Sequence, residues 1–130
     1  MKILQPAGWP RPKGYANGVS AKGLSVFVSG MIAWDPHGKL VTSNFAGQVR
    51  QTLSNVVEVL AEANAKPEHI VRMTWYVVSK TEYVAAQKEI GAAYREIMGR
   101  HYPAMTAVEV SSLMEDGARV EIEVTALIPD

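Results

Sequence analysis

The sequence predicts an α+β domain in which one layer of helices covers a single sheet, and three observations carry that prediction. Apolar and polar side chains alternate with period two at residues 24–29, 70–79 and 119–128. Helical periodicity replaces this alternation over residues 43–64 and again over 79–99. The resulting order is strand, strand, helix, strand, helix, strand, strand. Its two strand–helix–strand connections make right-handed crossovers that place both helices on one face.

Residues 1–14 hold Pro6, Gly8, Pro10, Pro12 and Gly14, and read as an irregular arm, because proline fixes φ and glycine admits positive φ. Residues 15–20 read as a short strand. A firmer one follows, with Leu24, Val26 and Val28 alternating with Ser25, Phe27 and Ser29 and ending near Trp34. Asp35, Pro36, His37, Gly38 and Lys39 form a turn by residue type, and Leu40-Val41 returns as a brief strand.

Ser43 or Asn44 caps the first helix, whose apolar stripe is Phe45, Val49, Leu53, Val56, Val57 and Leu60. Asn64 suits a left-handed helix end, and Pro67 blocks continuation. In the strand over 70–79, Met73, Trp75 and Val77 share one face and Arg72, Thr74 and Tyr76 the other. Ser79 and Glu82 have capping-box spacing for a second helix carrying Val84, Ala85, Ile90, Tyr94, Ile97 and Met98, closed by Gly99. After Tyr102-Pro103 comes a strand through Val108 and Val110. A loop at Met114–Gly117 then leads to the last strand, with Val120, Ile122, Val124, Ala126 and Ile128 on one face.

A chain of 130 residues is read as one domain over 1–130, large enough to bury a core without staples. Thirteen basic and thirteen acidic residues cancel, so no net field draws it to nucleic acid or anionic lipid. The absence of cysteine removes disulfides, thiolate metal sites and a cysteine nucleophile. The three histidines are scattered without metal-ligand spacing. No apolar run approaches the roughly 20 residues that span a bilayer, and no secretion signal is visible, so a cytoplasmic location is expected.

Two helices cover only one face of a sheet. The second face would carry Arg72, Thr74, Tyr76, Glu121 and Glu123 mixed with Phe27, Val78 and Leu127. That mixture is too apolar for solvent and too charged for a private core, which points to a homo-oligomer packed sheet against sheet. Clefts between subunits are then the expected small-molecule sites.

Three motifs in order carry a family resemblance: Val26-Phe27-Val28-Ser29-Gly30, then Pro103-Ala104 leading into Val108-Glu109-Val110, then Val120-Glu121-Ile122-Glu123. From about Tyr15 to Leu127 the chain resembles the Rid family, the YjgF-type reactive-intermediate deaminases once described as endoribonucleases. The resemblance implies a chorismate-mutase-like subunit, a homotrimer with its sheets forming an inner barrel, and an active site in each intersubunit cleft. It further implies hydrolysis of enamine or imine 2-carboxylic acids such as 2-aminoacrylate to the keto acid and ammonia, with no metal or organic cofactor.

In the deaminase members the Pro-Ala pair is followed by arginine, which holds the substrate carboxylate through charge-assisted, bidentate hydrogen bonds. Here that position is Met105, and a cysteine common two residues later is Ala107. The resemblance carries over Tyr15, Ser29, Gly30 and Met31 as substrate-binding positions beside Met105 and Ala107, and Glu121 as the acidic residue that orients water. Gln87 lies close to the position of a frequent asparagine.

The plainer readings are that Met105 packs the pocket wall, that Ser29 is an ordinary strand residue and that Tyr15 packs an interface. Glu121 is read either as a general acid or base or as an ion-pair partner of Arg119 or Arg72. Arg72 and Arg100 are the cations considered as replacements for the missing arginine. Three functions remain open: a deaminase-type hydrolase with a changed substrate, a non-catalytic ligand-binding or regulatory trimer, and, least favoured by the balanced charge, an endoribonuclease.

Overall fold

The alternation at residues 70–79 forms an interior strand of the sheet, and the helices are laid out around it. The computed structural model describes residues 1–130. In chain order the elements are β1 (Lys2–Ile3), β2 (Val19–Ser20), β3 (Leu24–Met31), α1 (Phe45–Glu62), β4 (Ile70–Val77), α2 (Lys80–Ala85), α3 (Gln87–Met98), β5 (Ala104–Glu109) and β6 (Val120–Ile128). The main sheet has the order β3-β6-β4-β5, antiparallel at β3/β6 and β6/β4 and parallel at β4/β5. This is the expected α+β layering. No helix is long and apolar enough to cross a membrane.

The apolar stripe of α1 is buried through Phe45, Val49, Leu53, Val56 and Leu60. It packs on β6 and β3 and shares one buried cluster with Met73, Trp75 and Val77 of β4, Val28 of β3 and Val120, Ile122, Val124 and Ala126 of β6. Burying each large side chain of this kind contributes about 1.5–3 kcal/mol. Asn44 caps α1 by accepting from the Gly47 N–H at 2.8 Å, and Asn64 ends it at φ 58°. A 3-10 turn at Pro67–His69 then hands the chain to β4.

Three expectations are corrected. β1 pairs antiparallel with β2, so residues 15–20 supply two strand residues to a separate ribbon rather than a strand to the main sheet, while residues 4–14 form no helix or strand. At Gly18 a Cβ would stand 3.2 Å from Leu4 Cδ1, a tight contact that the Leu4 side chain would have to yield. Leu40 makes a single bridge to Trp34 instead of a strand with Val41. The second helix breaks at Ala86 into α2 and α3. Ser79 caps α2 by accepting from the Glu82 N–H at 3.1 Å, but the Glu82 carboxylate turns to Arg119 Nε at 2.8 Å instead of completing a capping box. The break puts α2 out of phase with α3, so Val84 is 57% exposed while Ile90, Tyr94 and Met98 are buried.

A buried polar side chain ties two loops to α1. Gln48 is fully buried; its Nε2 donates to the carbonyls of Thr42 and Gly117, both at 2.9 Å, and its Oε1 accepts from the Arg119 N–H at 2.8 Å. Each bond satisfies a backbone group of a loop or strand end that lies against α1. Gln48→Leu is expected to lower the unfolding free energy by about 3 kcal/mol, because three backbone groups lose their partner. Arg50→Gln, which removes the exposed pair to Glu96, should change it by less than about 0.5 kcal/mol. Urea melts at one fixed protein concentration measure both; equal effects would show that the Gln48 bonds do not matter to stability.

Candidate functional site

The turn before β5 is held by a chain of aromatic and polar contacts. Tyr102 stacks on Tyr94 with centroids 5.4 Å apart and planes at 14°. The Tyr94 hydroxyl donates to the His101 carbonyl at 2.5 Å, and His101 Nε2 lies 2.7 Å from the Ile70 carbonyl. Burial, reinforced by the neighbouring Tyr102, pushes the Tyr94 phenol far above its usual range, so it stays a donor at any physiological pH. His101 is thereby a structural residue.

From that turn β5 runs parallel to β4 in the register Met73↔Met105 and Trp75↔Ala107. Residues in register share a face, so Met105 and Ala107 point to the helix side with Met73 and Trp75. The arm closes against this edge. Ala16 bridges Ala104 in parallel fashion and its N–H donates to the Pro103 carbonyl at 3.0 Å. Gly14, at φ 80°, reverses the chain just before Tyr15. Between β5, α2, α3 and the arm lies a cleft of about 520 Å³ whose wall includes Tyr15, Tyr83, Gln87, Met105 and Ala107. Gln87 Nε2 donates to the Tyr83 carbonyl at 2.9 Å, leaving its Oε1 uncommitted. Trp75 Nε1 is buried without a partner.

The other expected site residues lie elsewhere. Glu121 is in register with Tyr76 on the open face of the sheet, two strands from Met105 and on the opposite side. Its carboxylate lies across Gly30, where a Cβ would stand 2.1 Å from Oε2, so only glycine admits it. The β3–β6 register is irregular between Val28 and Met31, at this same point. Ser29 borders a shallow depression of about 410 Å³ with Phe27, Arg72, Thr74 and Glu123. Nearby, Tyr76 donates to Glu123 Oε1 at 2.6 Å, a hydrogen bond to an anion that raises the phenol's pKa. Met31 faces away again, lining a groove of about 800 Å³ with Trp34 and Asn55, where Asn55 Nδ2 donates to the carbonyls of Ile32 and Trp34 at 3.0 and 2.9 Å.

Within one chain, then, Tyr15, Met105 and Ala107 come together, Ser29, Gly30 and Glu121 lie along the far face, and Met31 stands apart. Arg119 is bound to Glu82 and makes no ion pair with Glu121. Arg72 borders the Ser29 depression and a small cavity of about 170 Å³ shared with Tyr15 and Met105, while Arg100 lines a separate hollow beside the arm. Neither lines the larger cleft. The charged side chain that does is Lys13, which sequence reasoning missed: an arm without periodicity offers no signal for where its side chains point. No group of three or more His, Cys, Asp or Glu residues converges anywhere.

The sequence profile of the family described as endoribonuclease L-PSP matches residues 10–128. A RutC family protein of Synechocystis sp. is 33% identical over 137 residues, covering 99% of this chain and 98% of its own length. The human 2-iminobutanoate/2-iminopropanoate deaminase is 28% identical over 104 residues, covering 79% of this chain and 72% of the deaminase. The crystal structure of a Rid family protein of unknown function from Yersinia pestis superposes with a TM-score of 0.83 at 30% identity, over 98% of each chain. Agreement of this extent in sequence and backbone places the chain in the endoribonuclease L-PSP family, the same family as the Rid and RutC proteins.

Proposed function

We propose that this protein is a cofactor-independent hydrolase of the deaminase type, acting on a C=N or enamine compound in clefts between the subunits of a homotrimer. The observation that carries the reading is the division of the candidate site. Tyr15, Met105 and Ala107 line a cleft at one sheet edge, and Glu121 lies across Gly30 on the opposite face. A small ligand cannot touch both groups in one chain, because the sheet stands between them. Two copies placed sheet face to sheet edge bring them together. The open face supports the same packing, since Phe27 is 76% exposed there.

In such a cleft Glu121 acts as the general base that takes a proton from water. The resulting hydroxide adds to the imine carbon, and the nitrogen takes up a proton to give a carbinolamine. Collapse to the carbonyl expels ammonia, so one water is consumed and one C=N bond becomes C=O. An enamine enters the same path after protonation at carbon. Met105 offers no charge to a substrate carboxylate, so the three-carbon acids expected for arginine-bearing relatives lack their anchor. The substrate is therefore a different one: a neutral or longer compound, or a carboxylate held by another cation. The same absence favours a second reading, a ligand-binding or regulatory trimer that keeps the cleft without the chemistry. An endoribonuclease is disfavoured by a formal net charge of zero.

With 2-aminoacrylate or 2-iminopropanoate, kcat/KM for ammonia release should fall about a hundredfold below that of an arginine-bearing relative, the loss of roughly 3 kcal/mol of charge-assisted bonding. Comparable rates would overturn the substrate argument. Met105→Arg should recover tenfold or more; a folded variant that gains nothing favours the ligand-binding reading. Light scattering should return the mass of three 14.2 kDa chains, and a mass of one chain would remove the intersubunit site altogether.

A further inference from the structure

We infer that the Met105 cleft receives an organic anion with an apolar stem, and that Lys13 of the N-terminal arm is the residue that binds its charge. The inference rests on the reading above that this cleft is the ligand site. Within one chain Lys13 is the single charged residue in the cleft lining; the Glu121 carboxylate of the proposed assembly comes from a second copy and is assigned to water. The two ion pairs of the fold are Arg50–Glu96 and Arg119–Glu82, and no hydrogen bond engages the Lys13 ammonium. An exposed cation on an apolar cleft, with no counter-charge from its own chain, sets up a field that an anionic ligand completes.

The arm is held where this requires. The Ala16 bridge to Ala104 and the bond to the Pro103 carbonyl fix the chain three residues beyond Lys13, and Gly14 turns it by its positive φ. A lysine carries its charge on a four-carbon stem and so follows a ligand group over a range of positions, unlike a rigid guanidinium fork. Behind it the wall is made of Met73, Trp75, Ile90, Tyr94 and Met105, which match a hydrocarbon, aromatic or thioether stem. The volume of about 520 Å³ falls in the range of about 300–1,000 Å³ typical of pockets for ligands much larger than a three-carbon acid. Among the unpartnered polar atoms of that wall, Trp75 Nε1 is a donor and Gln87 Oε1 an acceptor. Arg72, on the far face, and Arg100, beside the arm, do not line this cleft.

Calorimetric titration of the full chain, in its solution assembly and at low ionic strength, with 3-phenylpropanoate and 3-phenylpropanamide separates charge from shape. The acid should bind about fivefold tighter than the neutral amide, as a partly exposed ion pair allows. Lys13→Met should bring the ratio to about one, and Lys13→Arg should keep the preference. Lys13→Gln repeats the test if methionine disturbs the arm. A ratio near one in the native chain, or a preference that survives Lys13→Met or disappears instead in Arg72→Met, overturns the assignment. Failure of both ligands to bind overturns both this inference and the cleft on which it rests. Retained acid preference without ammonia release from any imine sinks the hydrolytic reading alone and leaves Lys13 as the anchor.

Discussion

The parallel register between β4 and β5 is the constraint on which the site depends. Because side chains alternate faces with period two, a slip of one residue would send Met105 and Ala107 to the open face and bring Ala104 and Thr106 inward. The register is secured at both ends. Before β5, Tyr94, Tyr102 and His101 pin the turn; after it, the Val110 N–H donates to the Val77 carbonyl at 2.8 Å. Glu109 adds a further tie, accepting from the Lys80 N–H at 2.6 Å at the start of α2. A parallel pair also needs a crossover, and α2 and α3 supply it over the helix-side face. The cleft at the β5 edge is the space left where that crossover, the strand and the arm fail to meet.

The opposite edge shows a different use of backbone. At Gly30 the β3–β6 pairing is irregular, and the missing Cβ lets the Glu121 carboxylate lie along the strand rather than project from it. The far face thus offers a carboxylate held low over backbone, and the near edge offers an apolar cleft with one cation. Neither is a complete reaction centre. Their separation by the thickness of the sheet makes assembly a requirement of the proposed chemistry rather than an addition to it.

Much of this was legible in the sequence where a local rule governs. Alternation identified β4 and β6, the helical stripe identified the buried face of α1, and Asn44 and Asn64 marked its ends. What the sequence did not disclose depended on partners distant along the chain. Gln48 looks like any polar helix residue until Gly117 and Arg119 are brought to it, more than sixty positions later. The break at Ala86 hides in an uninterrupted run of helix formers, so Val84 was counted on a stripe that does not reach it. Two-residue strands such as β1 and β2 are too short for periodicity and exist only through each other. For the site, residue types could be read off, but whether they converge is a property of faces and edges. The faces of β5 and β6 were deducible from register alone; the place of Lys13 was not.

In the proposed site an arm-borne lysine takes the part that the resemblance gives to a strand-borne arginine, and that changes what recognition can select. A guanidinium on β5 would be fixed by the sheet, and its fork would demand a carboxylate in one plane at one depth. Lys13 sits in a segment anchored to β5 by Ala16 and otherwise tied to the body by the small β1–β2 ribbon. Lys13 and Met105 are separate positions of the cleft lining, and Met105 is apolar. An exposed cation and an apolar wall favour a ligand whose anion lies at one end and whose stem enters first. For the proposed hydrolysis, that orientation carries the far end of the stem past Met105, so the reacting C=N bond need not adjoin the carboxylate. The methionine then contributes apolar depth, and the substrate's length becomes the property that the cleft measures.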